Sequence, residues 1–191
     1  MREYIIARNC RWRKTMPLVV FLRGVNVGGH KTFQPSLLAK ELAQYGVVNI
    51  GAAGTFVVRK PISQTKLRAE ILRQLPFEPD IMICPAQDII RIVSEDPFAG
   101  ERAGPDIVRF VSVLAKTSSE LPAIPIVLPA DGDWLVKIIA IKGRYAFGMY
   151  RRHMKTIGFL GQVEKRLGVS ATTRNWNTIN AIVKVLNAPA K

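Results

Sequence analysis

Between Leu18 and Pro85 the chain alternates short apolar runs with helical periodicities, and their order leaves few folds open. Leu18–Leu22 is an aliphatic run of strand length that ends in the glycine-rich stretch Gly24–Lys31. Pro35 then opens a helix through Tyr45, with Leu38 and Leu42 at helical spacing, and Gly46 stops it. Val47–Ile50 and Thr55–Arg59 read as short strands separated by the small residues 51–54. Ser63 is the N-cap of a helix to Leu75 that sets Leu67, Ile71 and Leu72 on one face. Asp80–Cys84 is a further strand closed by Pro85.

That succession, β-α-β-β-α-β, is the ferredoxin-like order, in which two helices cover one face of a four-stranded sheet. After a linking helix, Gln87–Val93, the second half repeats the theme less regularly. Ile107–Ala115 and Ile126–Leu128 are expected to be strands, joined by a connection with two prolines where a helix would have fitted. Trp134–Ile141 and Tyr145–Tyr150 form a hairpin across Lys142-Gly143. Ile157–Leu167 is a helix stopped by Gly168, and Asn175–Leu186 is the last helix. The expected fold class is α+β: two consecutive α/β sandwich halves, the first ferredoxin-like, the second an irregular variant with C-terminal helices. The expected division is a basic extension over residues 1–15, a first half over 16–98, a linker over 99–105 and a second half over 106–191.

Charge is unevenly placed. The net +14 of the 191 residues resolves into +4 over residues 1–15, zero over 16–133 and +10 over 134–191, where Glu164 is the sole acidic residue. A one-signed surface steers polyanions toward it, and it is equally what a solvated, soluble face looks like. Hydrophobic residues make up 48%, but no apolar run reaches the roughly 18–20 residues that cross a bilayer, so no membrane partner is expected. Cys10 and Cys84 carry no ligand-like spacing, which points to a reducing, cytoplasmic compartment. Residues 1–15 read as an extension ahead of Met16 rather than a targeting segment.

Two motifs can carry chemistry. In the first, a strand runs into Arg23-Gly-Val-Asn-Val-Gly-Gly-His-Lys31 and then a helix. Inward-pointing amides there can cradle an anion, with Arg23, Asn26, Gly28, Gly29 and Lys31 as candidates. The spacing is neither the Walker pattern nor G-x-G-x-x-G, and a plain glycine turn satisfies the same residues. In the second, Thr172-Thr-Arg-Asn-Trp176, a threonine or Asn175 caps the last helix. Arg174 either meets a carboxylate or carbonyl and holds the C-terminus, or offers its planar fork to a phosphate or carboxylate. The run Arg151-Arg152-His153-Met154-Lys155 is the densest positive stretch, with Arg151, Arg152 and Lys155 as nucleic-acid candidates. Two histidines do not make a multi-histidine metal site, and Asp131-Gly-Asp133 reads as a turn, so no metal and no cofactor is expected. No general acid, base or nucleophile can be named, and whether the chain is an enzyme stays open.

Phe21-Leu-Arg-Gly-Val-Asn-Val-Gly-Gly29 resembles the opening of the bacterial family known as domain of unknown function 1697. Leu167-Gly-Val-Ser-Ala-Thr-Thr-Arg-Asn-Trp-Asn-Thr178 is similar to its closing motif, with Ser170 where proline is usual, and Asp96-Pro97-Phe98 to a short middle motif. The resemblance spans residues 16–187 and implies a cytoplasmic α+β protein of two halves without an established activity. It also implies a Gln-Ser-Gly-Asn turn between the second and third strands. Here that stretch is Ala52-Ala-Gly-Thr55, and only the glycine matches. The leading expectation is a small phosphate- or nucleotide-like ligand between the two halves. The alternatives are nucleic-acid binding by the basic last third, and motifs that are purely structural.

Overall fold

A computed structural model describes residues 16–25, 33–102, 104–117 and 122–189. The N-terminal extension and the candidates Asn26, Gly28, Gly29 and Lys31 lie outside the described residues. The chain divides into two compact units, one running up to Arg91 and again from Ala181 onward, the other Ile92–Asn180.

In the first unit, β1 (Leu18–Arg23), α1 (Pro35–Glu41), β2 (Val47–Asn49), β3 (Thr55–Val58), α2 (Gln64–Gln74) and β4 (Asp80–Pro85) follow the expected order. The sheet runs β2-β3-β1-β4 with every pairing antiparallel, which is the ferredoxin-like arrangement. β1 is buried from Leu18 to Leu22, as its unbroken apolar run requires of a central strand covered on both faces. Leu18, Val20 and Leu22 join Phe56, Ile81 and Ile83 in a core with Leu38 and Leu42, and with Leu67 and Ile71 of α2. The alternate residues Val19, Phe21, Val57 and Cys84 are buried as well. The local signals act as read. The Ser63 hydroxyl accepts from the Lys66 amide at 3.2 Å, and Gly46 ends a 3₁₀ turn (Ala43–Tyr45) at φ 62°.

Gly54, the residue that matches the turn implied by the resemblance, has a structural reason to be glycine. Its φ is +68°, and a Cβ there would sit 2.9 Å from both Leu22 Cβ and Val25 Cγ2. Its carbonyl accepts from the Leu22 amide at 2.8 Å, which ties the turn to β1. Gly54→Ala is therefore expected to lower stability by about 1–3 kcal/mol, through both strain and crowding. A urea midpoint equal to that of the unsubstituted protein would refute this account.

The second unit holds β5 (Ile107–Leu114), β6 (Ile126–Leu128), β7 (Val136–Lys142), β8 (Tyr145–Arg151), α4 (Thr156–Leu167) and β9 (Ala171–Asn175). Its sheet runs β6-β7-β8-β5-β9, again antiparallel throughout. Without the edge strand β6 this is the arrangement of the first sheet, with β5, β7, β8 and β9 in the places of β1, β2, β3 and β4. The irregularity lies between β5 and β7, where α1 has no described counterpart. Each closing strand runs straight into a helix: β4 into α3 (Ala86–Ser94) and β9 into α5 (Trp176–Asn187). Phe110, Leu114, Val136, Ile138 and Ala146 pack with Val163 and Leu167 of α4.

Four sequence expectations are corrected. Residues 171–175 form β9, where no strand was expected, and the last helix starts at Trp176 rather than Asn175. The reason is that β9 is polar; pairing with Phe110–Leu114 makes it a strand, helped by a 2.7 Å contact between the Ser112 and Thr173 hydroxyls. β7 begins at Val136 rather than Trp134, and α1 gives way to a 3₁₀ turn before Tyr45.

Candidate anion site at the start of α5

The candidate residues separate by what surrounds them. Arg23, at the end of β1, pairs with Asp80 directly across in β4, Nη1 to Oδ2 at 2.8 Å. Arg174, in β9, is only 8% exposed. Its Nη1 donates to the Thr172 hydroxyl at 2.8 Å and to the Thr173 carbonyl at 2.9 Å. Desolvation by burial lowers its pKa to about 10. Its Nη1 is thus bonded within its own strand. Arg59 donates to two carbonyls of the C-terminal segment, those of Val185 at 2.5 Å and Pro189 at 3.2 Å. Asn175 is the cap of α5: its Oδ1 accepts from the Thr178 amide at 3.1 Å.

The basic run also separates. Arg151 lies over the Trp134 ring at 4.7 Å, within 4.0 Å of Asp133. Arg152 is exposed, and its backbone amide donates to the Asp106 carbonyl at 2.7 Å. Lys155 is exposed in the turn that leads into α4. Elsewhere in the last third, Lys137 pairs with Glu101 and Lys142 with Glu95, each at 2.7 Å, and Arg144 donates to the Leu114 carbonyl. Much of the +10 is therefore engaged inside the second unit.

Arg152 and Asn175 come together in a cavity of about 270 Å³, which Arg109, Val108, Trp176 and Asn177 also line. Arg109 was not visible as a candidate, because a lone arginine in a strongly apolar strand carries no motif. It is held in place from two sides. Its Nη2 donates to the Glu101 carbonyl at 3.3 Å, and its guanidinium lies 5.4 Å from the centre of the Phe98 ring. Phe98 is buried and meets Trp176 edge-on at 5.0 Å and Phe147 at 6.3 Å. Asp96-Pro97-Phe98 thereby gains a role. Asp96 takes a left-handed φ of 36°, which a short polar side chain tolerates, and its carboxylate accepts from the Phe98 amide at 3.4 Å. That turn delivers the ring against which Arg109 and Trp176 rest. Two arginines, Arg109 and Arg152, and two asparagines, Asn175 and Asn177, thus line the cavity beside the first turn of a 12-residue helix. Among the described residues, no group of three His, Cys, Asp or Glu is placed to hold a metal ion.

An α+β fold of two antiparallel sheets, the first in the ferredoxin-like order, defines the class. The family model described as "Protein of unknown function (DUF1697)" matches residues 16–123, and the chain belongs to that family. A solved structure, "The structure of conserved bacterial protein SP0830 from Streptococcus pneumoniae", is similar over 91% of this chain and 99% of its own, at 14% identity and a TM-score of 0.56. At that identity the likeness speaks to the fold alone. No curated protein matches the chain.

Proposed function

We propose that the second unit binds a small anion, a phosphate or carboxylate group, in the cavity at the start of α5. The observation that carries this reading is the convergence of Arg109, Arg152 and the Asn175–Asn177 turn on one cavity. An anion there meets planar donors suited to paired oxygens and the positive end of a helix. A volume of about 270 Å³ suits a small ligand or the charged end of a larger one. Arg109 is pre-positioned by Phe98 and Glu101, so ordering it on binding adds little entropic cost. We also infer residence in the cytoplasm, on the sparse cysteine usage; cell fractionation tests it.

Arg152→Gln is the clean test, because this exposed side chain has no part in the core. Inorganic phosphate and a set of nucleotides and sugar phosphates are titrated while thermal unfolding is followed. A ligand that raises the midpoint of the unsubstituted protein is expected to bind about tenfold more weakly to Arg152→Gln, the loss of one charge-assisted hydrogen bond. Lys155→Gln, a charge-matched control outside the cavity, is expected to bind as before. Equal losses in both variants would indicate a general effect of charge and sink the assignment of the cavity.

A further inference from the structure

We propose that the entrance to α4 is a docking tip for an anionic lipid surface. Met154 and Ile157 are 92% and 78% exposed, and no other large apolar side chain among the described residues exceeds 49%. They stand three residues apart, Met154 in the turn before α4 and Ile157 in its first turn. Beyond them the outward side of α4 is bare. Ile157, Gly158, Gly161 and Lys165 fall within about 100° of helical arc, away from the buried Thr156, Val163 and Leu167. A Cβ added at Gly158 or Gly161 would meet nothing within 4 Å, so packing inside the chain requires neither glycine. Glycine weakens an exposed helix. Here the pair leaves Met154 and Ile157 standing clear of the helix.

The surrounding charge is of one sign. Lys155 sits between the two apolar residues, and Lys165 lies two turns on, about 12 Å along the helix. Glu164, the acidic residue of α4, is turned toward β9, where its carboxylate accepts from the Ala171 amide. Two protruding side chains are too little surface for a stable protein interface, which covers about 800 Å² on each partner. A bilayer takes up single apolar side chains, and its anionic headgroups attract each nearby cation. No described helix is long and apolar enough to cross a membrane, and a surface contact requires no crossing. The proposal is independent of the cavity, since neither Met154 nor Ile157 lines it.

The test is co-sedimentation with vesicles of phosphatidylcholine alone and of equimolar phosphatidylcholine and phosphatidylserine, at low salt. The full chain is expected to sediment with the mixed vesicles and to stay in solution with the neutral ones. Met154→Ser and Ile157→Ser are each expected to weaken partition at least about tenfold, and Lys155→Gln about fivefold. Both serine sites are exposed, so circular dichroism should report unchanged folding. Failure to sediment with the mixed vesicles overturns the proposal. So does undiminished binding of the Met154→Ser/Ile157→Ser double variant, which would mean attraction by charge alone. Retention on a single-stranded oligonucleotide that depends on Met154 and Ile157, without vesicle binding, would assign the tip to nucleic acid instead.

Discussion

Gly148→Ala is expected to lower stability by about 2–3 kcal/mol, more than any single methyl group elsewhere on the sheets. Gly148 is in β8, paired with Phe110 of β5 on one side and Ile138 of β7 on the other. A Cβ there would lie 2.4 Å from Phe110 Cζ, 2.6 Å from the Lys137 carbonyl oxygen and 2.9 Å from Ile138 Cδ1. The ring is fully buried, and the carbonyl belongs to the backbone of the neighbouring strand, beside the register shift between Ile138 and Ala140. Neither can move without disturbing the ladder, and overpacking of this kind costs about 1–3 kcal/mol. The pair can be separated experimentally. Phe110→Leu removes the ring tip but leaves the Lys137 carbonyl, so the double variant should recover part of the loss and not all of it. Urea unfolding of the four proteins gives the answer. A Gly148→Ala midpoint equal to that of the parent would show that the sheet opens more easily than its contacts imply.

The second large effect is a dependence on pH at Arg174. Burial disfavours the charged form and lowers its pKa to about 10 in the folded protein. Below pH 10 both states carry the proton, and the desolvation penalty weighs fully on the folded one. Above pH 10 the folded state releases the proton while the unfolded state still holds it. The unfolded state then binds more protons, so stability rises with pH there. Lysines and tyrosines also titrate there, so the quantity to measure is a difference. The stability of the parent relative to Arg174→Met should rise above pH 10 and be flat from pH 6 to 9. A difference that stays flat throughout would place the guanidinium in water rather than in the sheet.

Arg174 also shows where reading the sequence stops. Its neighbours Thr172, Thr173 and Asn175 are polar, and a polar run beside a helix signals a cap. The cap is real, and Asn175 makes it. Yet the residues before it are an edge strand, fixed by β5 some sixty positions earlier in the chain. The alternation of buried Thr172 and Arg174 with exposed Thr173 and Asn175 exists in the sequence, but alternation among polar residues carries no hydrophobic signal. Arg109 was hidden for the opposite reason. It interrupts an apolar strand and looks like an outward residue, whereas Phe98 and the Glu101 carbonyl hold it at a cavity. Of the residues singled out beforehand, Arg152 and Asn175 line that cavity, Arg151 and Lys155 stand apart from it, and Arg23 belongs to the first unit.

What the sequence determined by itself is local. The apolar runs of β1 and β5, the Ser63 cap, the left-handed stops at Gly46 and Gly168 and the order of elements in the first unit all follow from side chains within a few residues of each other. Tertiary structure alone decided β9, the strand order of the second sheet, the crowding at Gly148 and the meeting of Arg109, Arg152 and Asn175. The division has one physical cause. Helix caps and glycine turns satisfy backbone groups nearby, so their residues announce them. A ladder satisfies its backbone groups on another strand, and a cavity is the space left when distant segments pack, so neither is written in any one stretch of chain.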